Sequence, residues 1–298
     1  MRVFVTGSTG FVGSAVVQEL LKAGHQVLGL VRSDASAKAL AATGAAVHRG
    51  SVEDLDSLRR GTEQADGVIH TAFIHDFSRF KEVCEIDRRA IAALGAALEG
   101  SERPLIVTSG TGLLARGRAV TEDDVHQPGA HNLPRVASEE SAAEVAERGV
   151  RVSVMRLPPS VHGDGDHGFV PMLIKMAREK GVSAYIGEGN NLWPAVHRLD
   201  AAVLYRLAME SGTMAPRYHA VAEEGVKFRE IAAVIGRRLN LPVVAKSPEQ
   251  AEAHFGWFAH FAAMDNLASS ARTRGLTGWQ PKELGLIADI DRPRYFQQ

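Results

Sequence analysis

Short apolar runs alternate with helical patterns through the first half of the chain. The first run, at residues 2–5, ends at Gly7, and apolar residues then recur every three or four positions until Gly24. This alternation predicts strands and helices in turn. The predicted strands cover residues 2–5, 26–31, 45–48, 67–71, 104–108 and 151–156. The predicted helices cover residues 12–23, 35–42, 52–61, 78–99 and 135–148.

The order of these elements defines the fold class. Apolar, β-branched strands that alternate with helices predict a parallel sheet covered on both faces. Right-handed crossovers then leave a ligand crevice at the carboxyl ends of the strands. We therefore expect an α/β fold in which residues 1–157 form a Rossmann-type doubly wound parallel sheet. Residues 158–298, rich in glycine and proline, are expected to form a smaller mixed α/β substrate lobe, with some return of the chain to the core.

Composition narrows the choice of partner. The net charge of -1 gives no electrostatic reason to expect nucleic acid or an anionic membrane surface. The single cysteine, Cys84, excludes an intramolecular disulfide and a cysteine-based zinc cluster. The chain opens on a strand pattern rather than a signal peptide, and no apolar stretch is long enough to span a bilayer. We expect a cytoplasmic protein whose partner is a small-molecule substrate.

A glycine-rich turn, TGSTGFVG, joins the first predicted strand to the first predicted helix. Gly7 permits the tight turn, Gly10 lets the backbone approach a pyrophosphate, and Gly13 lets the helix pack closely on the strand. The helix N-terminus offers free N–H groups and a positive dipole end to the anion. Because the turn lies within a βαβ unit, a dinucleotide site is favoured over a turn without function. The expected contacts are Gly7, Ser8, Thr9, Gly10, Phe11, Val12 and Gly13.

This motif resembles that of the extended and atypical short-chain dehydrogenases/reductases, the NAD-dependent epimerase/dehydratase family. Four later segments also resemble parts of that family: residues 66–72, 156–163, 196–202 and 278–281. The resemblance therefore covers almost the whole chain, and it implies a homodimer through the helices at 78–99 and 135–148. The further cofactor contacts that it implies are Ser51, Val52, Thr71, Ala72, Phe73, Thr108, Glu139, Leu157 and Pro158.

The end of the second strand indicates which nicotinamide dinucleotide is bound. An acidic residue there would accept hydrogen bonds from the adenosine ribose and favour NAD. Arg32 stands at that position, and its guanidinium suits a 2′-phosphate, to which Ser33 can add a hydroxyl. NADP is the expected cofactor. In the alternative, Arg32 is solvated, Asp34 supplies the acidic contact and NAD is bound.

The resembled family uses a tyrosine and a lysine four residues later, where the lysine lowers the tyrosine pKa for proton transfer. No tyrosine of this chain has a lysine four residues later. The corresponding segment resembles residues 135–140, with Ser138 as the serine that often precedes the lysine. Arg135 then replaces the tyrosine and Glu139 the lysine, where Glu139 can accept bonds from ribose hydroxyls. A shift by one residue would place Val136 and Glu140 there instead.

Other side chains near the expected nicotinamide are candidates for substitute chemistry. Ser109 resembles the family's substrate-orienting serine, and Thr111 follows it closely, although both hydroxyls are as typical of turn caps. His75 and His162 are candidate proton donors, although a loop histidine is more often on the surface. No segment has a recognisable metal-ligand spacing, so no metal is expected. Together with Arg135 and Ser138, these four residues complete the candidate catalytic set.

Three hypotheses follow. The first is an NADP(H)-dependent oxidoreductase of a small carbonyl or alcohol compound. The second is a nucleotide-sugar epimerase or dehydratase, whose substrate diphosphate needs cations in the second lobe, for which Arg178, Lys180, Arg198 and Arg217 are available. The third is a protein that senses NADP(H) without catalysis, which the missing tyrosine–lysine pair favours.

Overall fold

A seven-stranded parallel sheet forms the centre of the protein. The computed structural model describes residues 1–114, 117–126 and 133–297. Its strands are β1 (Arg2–Thr6), β2 (Gln26–Val31), β3 (Ala46–Arg49), β4 (Gly67–His70), β5 (Leu105–Gly110), β6 (Val152–Leu157), β7 (Ser160–His162), β8 (Ser183–Ile186), β9 (Leu192–His197), β10 (Arg217–His219), β11 (Glu223–Lys227) and β12 (Val243–Lys246). The central sheet has the order β10-β6-β5-β4-β1-β2-β3. This confirms the predicted Rossmann-type α/β class.

Helices cover both faces of this sheet and build the rest of the molecule. They are α1 (Phe11–Lys22), α2 (Asp34–Ala41), α3 (Leu55–Glu63), α4 (Phe80–Ala96), α5 (Ala137–Glu147), α6 (Phe169–Lys180), α7 (Arg198–Glu210), α8 (Phe228–Leu239), α9 (Pro248–Phe255), α10 (Ala259–Ala263), α11 (Ala271–Thr277) and α12 (Leu286–Ile290). None of the described helices has the length and hydropathy needed to cross a membrane.

Several element boundaries differ from the sequence prediction for local reasons. The helix predicted from residue 52 begins at Leu55, because the Asp54 carboxylate accepts the backbone N–H of Ser57 at 3.0 Å and caps the helix there. The long helix predicted from residue 78 begins at Phe80, after a 3-10 turn capped by Asp76. Strand β5 extends two residues beyond the prediction, so that Ser109 lies within the strand rather than after it.

The strand order places the crevice. The chain winds outward in one direction through β1, β2 and β3 and in the other through β4, β5 and β6, so the direction reverses between β1 and β4. In open parallel sheets, ligands bind at the carboxyl ends of the strands at this switch point. Side chains such as Phe4 and Ile69 are fully buried on the two faces, which fixes the strand ends as the accessible edge.

Two smaller sheets follow β6. One has the order β11-β9-β7, and the other pairs β12 with β8. A second apolar core, containing Trp193, Phe228 and Phe258, lies among these sheets and helices α6 and α8. Strand β10 returns to the central sheet and pairs with β6. The division at residue 157 stays a prediction about domains.

Candidate functional site

The turn between β1 and α1 has no room for a side chain at Gly7 or Gly13. Gly7 has φ +67, and a Cβ built there would lie 2.8 Å from the backbone nitrogen of Ala72. A Cβ on Gly13 would lie only 2.0 Å from the carbonyl oxygen of Gly7. Gly10 is the N-cap of α1 and has no side-chain cap, so the first N–H groups of the helix are open to an anion. This cradle fits the pyrophosphate of a dinucleotide.

Hydroxyl groups beside the turn hold its backbone rather than face the crevice. Ser8 is buried, and its Oγ donates to the carbonyl oxygen of Leu30 at 2.9 Å. Thr71 Oγ1 donates to the carbonyl oxygen of Thr6 at 2.7 Å, and Thr6 Oγ1 accepts the Ala72 N–H at 3.2 Å. The side chains of Ser8 and Thr71 therefore stabilise the turn, and only their backbones remain candidates for cofactor contact.

The remaining residues that were predicted to contact the cofactor lie at the same edge of the sheet. Thr9, Phe11 and Val12 follow β1, Val52 follows β3, and Leu157 with Pro158 stands at the end of β6. The Arg198 guanidinium lies over the Phe11 ring at 5.1 Å.

Arg32 follows β2, and Arg49 ends the neighbouring strand β3. Arg32 is exposed, and Asp34, the acidic residue of the NAD alternative, forms an ion pair with Arg49 at the end of β3. Ser33 Oγ accepts the Ser36 N–H at 3.1 Å and is the N-cap of α2. An NAD ribose would have to compete with Arg49 for the Asp34 carboxylate.

Ser51 was expected beside the adenine. Its Oγ accepts the backbone N–H groups of Glu53 and Asp54 at 3.3 and 3.2 Å. The residue therefore stabilises the turn before α3, and its hydroxyl hydrogen remains available to a ligand.

Arg135 is held in the crevice by a buried network. Its Nη1 donates to Asp87 Oδ2 at 2.7 Å and to Ser138 Oγ, and its Nη2 donates to the Thr108 carbonyl oxygen at 3.0 Å. The guanidinium lies 4.1 Å from the centre of the Phe73 ring. Ser138 is fully buried and donates to Asp87 at 2.5 Å, so it positions Arg135 and is not open to a substrate.

Asp87 links this network to the glycine turn. Its Oδ1 lies 2.9 Å from Nε2 of His70, whose Nδ1 lies 2.7 Å from Thr6 Oγ1. Burial raises the pKa of the Asp87 carboxyl, but Arg135 and His70 outweigh burial and hold the pKa well below its usual range. The carboxylate is therefore ionised, and it contacts three partners: Arg135, Ser138 and His70.

Glu139 forms a second buried network. Its Oε1 accepts from Arg156 Nε at 2.8 Å and from Ser109 Oγ at 2.8 Å, and its Oε2 accepts from Arg156 Nη2 at 2.7 Å. Burial raises the pKa of Glu139, but the hydrogen bonds and charge of Arg156 outweigh burial and lower it. The predicted ribose contact of Glu139 is thus replaced by an ion pair, since Arg156 is fully buried and has no other carboxylate in the described chain.

The hydroxyl groups at the end of β5 are also hydrogen-bonded within the protein. Ser109 donates to Glu139, and Thr111 is fully buried and donates to Asn266 Oδ1 at 2.7 Å. Thr108 Oγ1 donates to the His70 carbonyl oxygen at 2.7 Å and accepts from Tyr205. We therefore correct the expectation that Ser109 and Thr111 are free to orient a substrate oxygen.

The two candidate histidines lie in different surroundings. His75 lies beside Phe73, with ring centres 5.3 Å apart, and burial, followed by the charges of Arg135 and His167, lowers its pKa. His162 is buried on β7, where its Nδ1 lies 2.9 Å from Asp289 Oδ2. Since His162 packs against α12, it is removed from the candidate proton donors, and His75 remains.

His162 also belongs to the one group of described residues whose ligand atoms are close enough to hold a metal. His162, His197 and Asp289 place these atoms within 4.8 Å of one another. However, Arg294 and Arg292 both donate to Asp289 Oδ1. Because these cations already neutralise the carboxylate, the charge around the group opposes a metal ion.

Aromatic side chains line the crevice beyond Phe73. The Phe77 ring stacks on Trp257 with centres 4.8 Å apart, and it also contacts Phe80 and Phe261. Trp257 is 57% exposed, so this stack forms the outer edge of an apolar wall.

Sequence reasoning missed Asp87 and the partner of Glu139. The spacing of Val83, Asp87 and Ile91 places Asp87 on the buried stripe of α4, which is a signal that a buried acid needs a cation. Arg156, a charged residue inside the apolar strand β6, gives the same kind of signal. Neither signal identifies the partner, because the partners lie 48 and 17 residues away.

The cradle, the strand order and the switch point together define a dinucleotide-binding α/β protein. The chain belongs to the NAD-dependent epimerase/dehydratase family, whose sequence model matches residues 3–221. This finding confirms the resemblance inferred from the motifs.

Three known proteins show the extent of the similarity. "Uncharacterized protein C2A9.02" of Schizosaccharomyces pombe is 52% identical over 298 residues, which are 99% of this chain and 100% of that protein. Sterol-4-alpha-carboxylate 3-dehydrogenase, decarboxylating, of Dictyostelium discoideum is 27% identical over 244 residues, 77% of this chain and 74% of that one. The structure of DesIV, a dTDP-glucose 4,6-dehydratase from Streptomyces venezuelae with NAD and TYD bound, is 18% identical with TM-score 0.77 and covers 100% of this chain and 97% of its own. This last likeness shows the fold alone.

Proposed function

We propose that this protein is an NADP(H)-dependent oxidoreductase of a small carbonyl or alcohol compound. The observation that carries the proposal is the pairing of the glycine cradle with an arginine at the end of β2, where Asp34 is bound to Arg49. A 2′-phosphate there would meet the Arg32 guanidinium, which forms no ion pair within the described residues, whereas a ribose diol would have to share the Asp34 carboxylate with Arg49.

The chain's own residues position the reactants. When bound, the dinucleotide would supply a hydride to the carbonyl carbon while the oxygen takes a proton from water, so that NADPH, a carbonyl compound and a proton become NADP⁺ and an alcohol; in the reverse direction, His75 would accept the proton of the alcohol. Phe73 and the aromatic wall exclude water from one side of the crevice, and Arg135 presents N–H donors at its floor. The lowered pKa of His75 leaves it neutral near pH 7, so it accepts a proton more readily than it donates one.

One observation favours this proposal over the nucleotide-sugar hypothesis. The related sterol carboxylate enzyme, which aligns with 77% of this chain, is by name a dehydrogenase.

A second candidate, NADP(H) sensing without catalysis, is favoured by a specific observation. The buried set of Ser109, Glu139 and Arg156 occupies the positions where the family keeps its serine and lysine. A protein that only binds the dinucleotide would need no free acid in the crevice.

One experiment tests both candidates. The protein is titrated with NADPH and NADH. The NADPH complex is then mixed with aldehydes, ketones and quinones while nicotinamide absorbance is followed, and the NADP⁺ complex is mixed with nucleotide sugars whose products are analysed. Loss of absorbance with a carbonyl compound supports the oxidoreductase. Tight NADPH binding without turnover of any compound supports the sensor, and a rearranged sugar without net cofactor loss supports an epimerase.

The cofactor preference has its own test. Arg32→Asp should weaken NADPH binding by about tenfold or more, because it replaces attraction to a 2′-phosphate with repulsion. Arg229→Asp, an exposed arginine at the start of α8, is the matched control and should leave binding unchanged. Equal NADPH affinity in both variants would contradict the role given to Arg32.

The remaining expectations from the sequence stay predictions. They are a cytoplasmic location, the absence of a nucleic-acid or membrane partner, and a homodimer through α4 and α5.

A further inference from the structure

Arg135 has donors to spare. A guanidinium carries five N–H groups. Three are used, two on Nη1 by Asp87 and Ser138 and one on Nη2 by the Thr108 carbonyl oxygen. Within residues 1–114, 117–126 and 133–297, the Nε–H and the second Nη2–H have no acceptor. The side chain is 17% exposed, so part of it is open to solvent.

The network fixes the direction of these donors. Asp87 and Ser138 hold one end of the guanidinium, and Phe73 lies against its face at 4.1 Å. The two remaining N–H groups therefore keep one orientation in the plane of the guanidinium. Planar, preorganised N–H pairs match the two oxygens of a carboxylate, and such charge-assisted bonds are about twice as strong as neutral ones.

The carboxylates nearest to the crevice floor do not compete for these donors. The Asp87 carboxylate is hydrogen-bonded to Arg135, Ser138 and His70, and the Glu139 carboxylate is hydrogen-bonded to Arg156 and Ser109. The part of the crevice at Arg135 and Phe73 thus offers a ligand free N–H donors and an apolar surface. A carboxylate would accept from both N–H groups, one on each oxygen, whereas a single carbonyl oxygen would have to accept from both.

We infer that the substrate is an oxo acid or hydroxy acid, whose carboxylate binds the free N–H groups of Arg135 while its apolar body lies along Phe73 and Phe77. This inference rests on the proposed oxidoreductase function and names its substrate class. Dinucleotide phosphates are a separate ligand, because their cradle follows β1, whereas Arg135 contacts Phe73, after the end of β4, and Thr108 in β5.

The first test uses the unaltered protein with bound cofactor. Phenylpyruvate, 3-oxobutanoate and the methyl ester of each are compared as substrates for NADPH oxidation, and each is titrated calorimetrically into the NADP⁺ complex. Loss of a bidentate charge-assisted pair is expected to weaken binding about 10- to 100-fold. At least one acid should therefore have a lower KM and a lower Kd than its ester by that factor.

Variants then assign the effect to Arg135. Arg135→Lys keeps a positive charge for Asp87 but has no planar pair of donors, so the preference for acid over ester should fall about tenfold or more. Arg89→Lys, an exposed arginine on α4, is the matched control and should keep the full preference. Thermal unfolding of each variant shows whether it is folded.

The outcomes separate this inference from the proposed function. Turnover of esters as efficient as that of acids would overturn the carboxylate site and leave the oxidoreductase standing. Binding of acids but not esters, with no turnover of either, would support the site and contradict the oxidoreductase. An acid preference that survives in Arg135→Lys would overturn the assignment, as would the failure of every acid to bind.

Discussion

Glu139→Gln tests whether Glu139, which the sequence predicts as a contact of the cofactor ribose, instead serves only in the buried ion pair with Arg156. Glu139 is 7% exposed and Arg156 is 0% exposed, with two hydrogen bonds of 2.8 and 2.7 Å between them. The amide keeps the size of the side chain and can still accept from Ser109, but it removes the one carboxylate that, among the described residues, pairs with the fully buried Arg156 guanidinium. Leaving one partner of a buried pair uncompensated costs about 3–5 kcal/mol.

Thermal unfolding measures this cost. In chains of 150–250 residues, 1 kcal/mol shifts the midpoint by roughly 2–4 °C, so Glu139→Gln should lower the midpoint by about 10 °C. Glu140→Gln, on the next position of α5, is the matched control, because its pair with Arg88 is 38% exposed on the glutamate side. That variant should lose about 0–1 kcal/mol.

NADPH affinity gives the decisive second measurement. If Glu139 belongs only to the ion pair, the folded variant should bind NADPH as the unaltered protein does, at a temperature well below its lowered midpoint. A variant that unfolds like the unaltered protein but binds NADPH at least about tenfold more weakly would refute this account. That result would return Glu139 to the ribose contact expected from the sequence.

Three further predictions follow from single sites. Gly13→Ala should destabilise the fold by about 1–3 kcal/mol and abolish NADPH binding, because its Cβ has only 2.0 Å to a backbone oxygen. Gly275→Ala, inside α11 with nothing within 4 Å, should keep NADPH binding and raise stability by about 0.5–1 kcal/mol. Burial raises the pKa of Asp166 to about 6, so the protein should lose stability as the pH rises from about 4 through 6, and Asp166→Asn should flatten this part of a pH series of unfolding midpoints. Dialysis against a chelator should leave the unfolding midpoint unchanged, because the arginines beside Asp289 already neutralise the His162 group; a lower midpoint that zinc restores would contradict this.

The glycine cradle could be predicted from the sequence because its physics is local. The positions of Gly7, Gly10 and Gly13 follow from a turn, a helix start and a strand within eight residues. Arg32 was likewise placed by its position at the end of a strand. Patterns of this range determine which backbone groups face a ligand, and they do so without tertiary contacts.

The chemistry of the crevice could not be predicted in the same way, because it depends on pairs that are distant along the chain. Thr111 meets Asn266 across 155 residues, and His162 meets Asp289 across 127. In both cases the polar side chain is satisfied by a partner that no periodicity reveals. The sequence therefore identified residues at the right end of the sheet but assigned free roles to side chains that are bonded to each other.

Calorimetric titration with NADPH tests the central claim most directly. The account predicts one NADPH per chain, bound at least about tenfold more tightly than NADH, with binding lost in Gly13→Ala and kept in Gly275→Ala. An absence of binding by either dinucleotide to the folded protein would contradict the account, since no hydride chemistry or sensing remains without it.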